Sequence, residues 1–402
     1  MSNHTQKLDQ LIQMTEVDYL LNRKELAKEL GLGVNSLDKV WKSLQKDKQQ
    51  NTTIQRKEIE PWKDTVSIDS VINEFSAILD EVMVIEPNMR DAVAWWSLAT
   101  WFVDYTDIAP YLMITAPEKR CGKSQLMSLL SKLTFNASAS ANMSAAALYY
   151  VLDQKPKATI LLDEVDQYLH DVPNFIGILN AGHGRELGFV DRIEGEKKRV
   201  AKKYDCFGFK AISGISSKNI SETLADRSII IELKRKNARV QKKKLRDISE
   251  SIFYELQRKC TRLVQDFGEK IRSHHAERPS GLNDRQFDNW SLMLALAELS
   301  GNSYWLGRAK EIAVAISRQS ESFQKSYEHE RLVLIAAALL TLKGSEPTAE
   351  EISSRIPISY RITARSVADV LKVYGLRSKQ KMRNGHNLRC YQRCEIEEVT
   401  SA

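Results

Sequence analysis

Between residues 117 and 124 the chain reads Pro117-Glu118-Lys119-Arg120-Cys121-Gly122-Lys123-Ser124. An apolar run at 110–115 leads into this segment, and a helical pattern at 124–133 leads out of it. That is the context in which a loop can cradle phosphates, because a helix N-terminus offers a ring of backbone N–H donors. Gly122 lets the backbone approach closely. Lys123 places a point charge on β- and γ-phosphates, Ser124 offers a hydroxyl to Mg²⁺, and Gln125 follows on the helix. Pro117 stands where such loops usually carry their first glycine, and its φ of about −65° can still start the turn.

About forty residues further on, Ala158-Thr-Ile-Leu-Leu-Asp-Glu164 is an apolar strand ending in two acids. Asp163 would hold Mg²⁺ through its water shell, and Glu164 would orient or deprotonate the attacking water. The competing reading is a core strand that ends in a solvated acidic pair. A third stretch, Ser221-Glu-Thr-Leu-Ala-Asp-Arg-Ser-Ile-Ile-Ile-Glu232, runs from a helix through Arg227 into an apolar strand. An arginine there can reach the γ-phosphate of a neighbouring subunit, a contribution of about 10³–10⁵ in rate. Otherwise it makes a local surface pair with Asp226. The strand at 209–215 should supply the polar group that senses γ-phosphate and water. Ser213 and Ser216 are the candidates, and Ser216 is favoured by its place at the strand's end. Arg285 opens the helix in Leu282-Asn-Asp-Arg-Gln-Phe-Asp-Asn-Trp290 and could reach the nucleotide from a lid. A cation there opposes the helix dipole, so an acidic partner, Asp284 or Asp288, is expected.

Basic residues form a second kind of candidate. Lys197, Lys198, Arg199, Lys202 and Lys203 lie in a segment with a glycine at 195 that can turn a hairpin. In a ring motor such an insertion lines the pore and touches nucleic-acid backbone. A plain exposed loop is the alternative. Near the C-terminus, helical patterns at 348–356 and 363–374 precede a hairpin centred on Asn384-Gly385. Helix, helix and basic wing is the layout of a winged helix, with Arg361, Arg365, Lys379, Lys381, Arg383 and Arg389 toward phosphates. Many such domains bind protein instead.

These residues need a scaffold. Strands that alternate with helices predict an α/β core with a parallel sheet covered on both faces. The expected organisation is a helix-turn-helix-like or plain helical unit at 1–45 and a linker at 46–66. An ATPase core at 67–236, a helical lid at 237–324 and a winged-helix domain at 325–402 complete it. Trp95, Trp96 and Trp101 read as core. The chain has 402 residues and a formal charge of +7, a mild sign of a polyanionic partner. Its five cysteines form no C-x-x-C pair, which argues against disulfides and a zinc site. No apolar run reaches the roughly 18 residues of a membrane span, and no secretory signal is visible. The expected compartment is a reducing cytoplasm.

The runs T-A-P-E-K-R-C-G-K-S, I-L-L-D-E, L-A-D-R-S-I and L-N-D-R-Q-F-D-N-W resemble a family of AAA+-type P-loop ATPases of bacteriophages and mobile elements. The family is catalogued largely as a domain of unknown function, and its members are often labelled replicative helicase or primase-helicase. The resemblance extends from about Asp18 to Tyr391 and takes in the P-E-K-R-C-G-K pattern and the closing segment A-R-S-V-A-D-V-L-K-V-Y-G-L-R-S-K. It implies ATP and Mg²⁺ as cofactors, an AAA+-like fold, a ring, a hexamer by analogy, and DNA as partner. No primase signature is visible, so a cooperating primase would be a separate chain. A nucleotide-gated regulator or defence ATPase, or a helicase loader, stays open as the alternative.

Overall fold

The computed structural model describes residues 23, 26–27, 33–34, 37–38, 59–117, 120–140, 143–165, 173–194, 200–214, 222–235, 240–342, 344–357, 360, 362–383 and 386–401. The chain divides into two units, Met1–Ile59 and Glu60–Ala402. In the first, Ala27 and Leu37 are buried and Arg23 faces Asp38 at 3.6 Å. The rest of the expected helix-turn-helix lies outside the described residues.

The second unit opens with two helices, α1 (Ile68–Val82) and α2 (Pro87–Ala99). Ser67 caps α1 by accepting from the Ser70 N–H, and proline fills the first position of α2, where its missing N–H costs nothing. The sheet then begins with β1 (Tyr111–Thr115), followed by α3 (Lys123–Leu133), β2 (Ser138–Ser140), α4 (Ala145–Gln154), β3 (Ile160–Leu162) and α5 (Pro173–Ala181). A hairpin of β4 (Phe189–Glu194) and β5 (Val200–Asp205) interrupts the alternation. After it come β6 (Lys210–Ser213), the single turn α6 (Glu222–Ala225) and β7 (Ser228–Glu232). The five core strands are all parallel in the order β2-β3-β6-β1-β7. The strand β2 is absent from the sequence reading. Ser138-Ala-Ser has no apolar run, and only pairing with β3 makes it a strand.

Alternate strand residues face opposite sides. Tyr111, Met113, Ile160, Leu162, Ile212 and Ile230 pack with Leu148 and Leu152 of α4 and Phe175, Ile178 and Leu179 of α5. Residues of the other face, such as Leu112, Ile114 and Ile229, are equally buried, with α3 against β3 and β6 and α2 against β7. The three tryptophans are core, as expected. Trp96 donates to the Pro110 carbonyl and Trp101 to the Leu133 carbonyl.

The hairpin root is closed by a buried lysine. The Lys210 amine donates to the Cys206 and Gly208 carbonyls at 2.8 and 2.9 Å and lies 5.0 Å from the centre of the Tyr111 ring. Burial lowers its pKa to about 8. Gly182 is required beside it, because a Cβ there would clash with both Cys206 and the amine.

Past the sheet run α7 (Glu250–Ser273), α8 (Asp284–Leu299) and α9 (Ser303–Thr341). The 39-residue α9 continues through position 324, where the sequence reading sets a domain boundary. Its C-terminal half packs Leu332, Ile335 and Leu339 against α10 (Ala349–Arg355), α11 (Ala364–Val373) and α12 (Arg393–Ser401). The strands β8 (Lys379–Arg383) and β9 (His386–Cys390) form the expected antiparallel pair, and the turn residues Asn384 and Gly385 lie outside the described residues. Among the described residues no helix is long and apolar enough to cross a membrane.

Candidate active site

Parallel strands end on one edge of their sheet, and ligands of such sheets bind in the crevice beyond the C-terminal ends. The loop after β1, Asp163 and Glu164 after β3, and Ser213 at the end of β6 therefore share one edge, with β6 lying between β1 and β3. At that edge α3 begins without a side-chain cap. Its N-cap is Gly122 and its first turn holds no acid, whereas Ser, Thr or Asn side chains cap α1, α4, α7, α8, α9, α10 and α11. The first turn of α3 thus has neither a side-chain cap nor an acid of its own, and the positive end of the helix dipole lies at this edge.

The loop's shape explains its composition. Gly122 has φ +89°, and a Cβ there would lie 3.3 Å from the Met83 methyl. Both facts favour glycine. Arg120 is also left-handed, at φ 67°. Cys121 is buried, Pro117 and Arg120 are exposed, and Lys123 is half-buried. Ser124 and Gln125 are exposed, and the Gln125 amide donates to the Val82 carbonyl, tying α3 to the end of α1. Glu118 and Lys119 lie outside the described residues.

Asp163 is fixed by its neighbours. Its Oδ1 accepts from the Glu164 N–H at 3.0 Å and from the Ser213 hydroxyl. Ser213 is fully buried, and Ser216 lies outside the described residues. Glu164 is exposed with φ 54°. A left-handed glutamate costs about 1–3 kcal/mol, and such strain clusters at functional sites. Together Ser124 and Asp163 offer two oxygen donors, which suits Mg²⁺, an ion that keeps several waters and binds through few protein ligands plus phosphate.

Arg227 stands at the opposite edge. It immediately precedes β7, and its carbonyl accepts from the N–H of Tyr111, the first residue of β1. A five-residue strand spans roughly 16 Å, so Arg227 is a strand's length from the loop on β1. Its guanidinium donates to the Thr223 carbonyl at 2.8 Å. Asp226 pairs instead with Arg285, at 3.4 Å. Arg285 therefore also lies at the N-terminal edge, and its acidic partner is Asp226, where the sequence suggested Asp284 or Asp288. Sequence reasoning missed two buried residues here. His183 Nε2 lies 2.7 Å from Asn289 Oδ1, and Asn289 Nδ2 donates to the Asp226 carbonyl at 3.0 Å. Burial and the nearby cations lower the His183 pKa to about 4. Asn289 lies in the run Leu282–Trp290, where only Arg285 drew notice, and the spacing Arg285-x-x-x-Asn289, one helix turn on a common face, is the signal of a joint role.

The basic candidates divide. Lys197, Lys198 and Arg199 lie outside the described residues. Lys202 is held by Asp153 at 2.8 Å, and Lys203 lies over the Phe189 ring at 4.3 Å. On the C-terminal hairpin Lys379 faces Glu395 at 3.7 Å, Lys381 pairs with Glu346, and Arg383 pairs with Glu351 at 2.9 Å. Arg365 and Arg389 are exposed, and Arg361 lies outside the described residues. Exposed pairs of this kind are worth about 0–1 kcal/mol.

Residues 232–400 match the family model described as protein of unknown function (DUF3631), a span that begins at the end of β7. No curated protein matches the chain. Among solved structures it is similar to the A form apo structure of the NrS-1 C-terminal region, at 11% identity over 83% of this chain and 77% of that one, with TM-score 0.32. A second structure of that region gives 12% identity, the same coverage and TM-score 0.29. A JCV helicase with a bound acetamide ligand gives 13% identity over 71% of this chain and 75% of that one, with TM-score 0.24.

Proposed function

We propose that the chain is a Mg²⁺-dependent ATP hydrolase of the P-loop type whose turnover drives movement on DNA, as in a replicative helicase of a prophage or mobile element. The observation that carries this reading is the shared sheet edge. The uncapped start of α3 with Lys123, the acid pair Asp163-Glu164 and the Ser213 hydroxyl all lie on it. Lys123 would bind β- and γ-phosphates, Ser124 and Asp163 would hold the metal, and Glu164 would orient the attacking water. Bound Mg²⁺ would neutralise charge developing on the phosphates. The position of Arg227 on the far edge supports action on a neighbour's nucleotide and hence a ring, by analogy a hexamer. A separate primase would be a natural partner of such a motor.

The test is direct. Purified protein should hydrolyse ATP with Mg²⁺, single-stranded DNA should stimulate turnover, and forked duplex should be unwound. ATP hydrolysis that no DNA stimulates, with no unwinding, sinks the motor and leaves a hydrolase. The second reading, a nucleotide-gated switch or loader without translocation, is favoured by the internal pairing of Lys202, Lys381 and Arg383. Replacing the basic residues among 197–203 separates the two, because a motor loses DNA-stimulated turnover and a switch keeps its turnover.

A further inference from the structure

We infer that Asn289, His183 and Arg285 are positioning residues for Arg227: helix α8 grips the residue before the arginine and so sets the geometry this chain offers to its neighbour's nucleotide. The inference rests on the reading of Arg227 given above. Its basis is a directed hydrogen-bond chain. The Asn289 amide has only hydrogens to offer the Asp226 carbonyl, so its Oδ1 is an acceptor. The His183 ring 2.7 Å away must then carry its proton on Nε2. Both side chains are buried.

One turn earlier on the same face of α8, Arg285 reaches the Asp226 carboxylate. Asp226 is therefore held twice from one helix, by its main chain and by its side chain. Arg227, the next residue, is fixed to β1 through its carbonyl and to α6 through its guanidinium. The Tyr111 ring stands edge-on to His183 at 6.0 Å, so the same cluster meets the strand whose other end opens into the loop at Lys123. Any shift of α8 against the sheet displaces Asp226 first, and Arg227 follows. A nucleotide-driven movement of the helices after β7 in one chain would thus alter the arginine presented to the next chain.

The experiment compares full-length wild type with Asn289→Ala, His183→Phe and His183→Gln. Phenylalanine keeps the ring's bulk without a donor, whereas glutamine keeps an N–H near the Nε2 position. Misplacement of a catalytic group by about an ångström costs about a hundredfold. The expected result for N289A and H183F is a fall in kcat of tenfold to a hundredfold, on the order of that figure. The KM for ATP and the affinity for a fluorescent ATP analogue should stay unchanged, and H183Q should stay close to wild type. Adding Lys123→Ala chains, disabled in their own loop but intact around Arg227, should raise the turnover of N289A. The inference is overturned by an unchanged kcat, by loss of ATP affinity in step with kcat, or by no recovery on mixing. If N289A does not fold, H183F against H183Q carries the same decision. A wild type without turnover overturns the hydrolase reading instead.

Discussion

Glu164 combines an exposed carboxylate, a left-handed backbone and a main-chain N–H given to Asp163. The base proposed for water would need that exposure, and the bond to Asp163 ties its position to the carboxylate proposed for the metal. Glu164→Gln keeps the shape and removes the proposed base. ATP binding should persist while turnover falls by about 10²–10⁴, measured by nucleotide titration and phosphate release. Lys123→Ala should lose binding itself. Ser213 and Ser216 can be separated in the same assay. The Ser213 hydroxyl already bonds Asp163, so Ser213→Ala should lower turnover more than Ser216→Ala does. Equal losses would return the sensor role to either position.

At the scale of elements, two buried polar contacts hold helices around the site. Asp91 of α2 is almost fully buried and accepts from Arg90 at 2.7 Å and from Arg308 of α9 at 2.9 Å. Removing this carboxylate leaves two partly buried guanidiniums short of an acceptor, so Asp91→Ala should destabilise the chain by about 1–3 kcal/mol, read from denaturant unfolding. His183 gives a pH signature. Its folded pKa, about 4, lies below the ordinary histidine value of 6.5. Between these values the unfolded chain binds more protons than the folded one, so stability rises with pH across that window and is lost as pH falls from 6.5 toward 4. His183→Gln should flatten this part of the stability profile, and an unchanged acid slope would place the protonation elsewhere. The Lys210 amine acts in the alkaline range in the same direction. Its depressed pKa makes the fold gain stability from about pH 8 upward as the buried charge is released.

For the whole molecule, the separation of Arg227 from Lys123 by the length of β1 has a consequence for assembly. Arg227→Ala chains and Lys123→Ala chains should each be nearly inactive alone, and mixing them should restore part of the turnover. An interface that joins an intact loop to an intact arginine is then complete. Sedimentation with ATP and Mg²⁺ should show a larger species than without them, since nucleotide at the interface stabilises the state that binds it. If the mixture stays inactive while both variants assemble, Arg227 works within its own chain or has another role.

The sequence alone placed the loop at 117–124 after one strand and the acid pair after another, because an apolar strand ending in polar or glycine residues leaves a local pattern. It also located Arg227 at the start of β7. It did not reveal β2, whose three small residues become a strand only through their partner β3. Nor did it reveal which carboxylate Arg285 meets, or that His183 and Asn289, 106 residues apart, join at Asp226. Ion pairing of the basic hairpin residues was equally out of reach, since Lys381 and Arg383 find their acids more than 30 residues away. Local composition fixes which groups are available and on which element. Only the closing of the parallel sheet sorted them, with the loop at 117–124, the acid pair and Ser213 at the C-terminal edge. Arg227, with the helix that holds it, went to the edge opposite, because strand direction is a property of the assembled sheet.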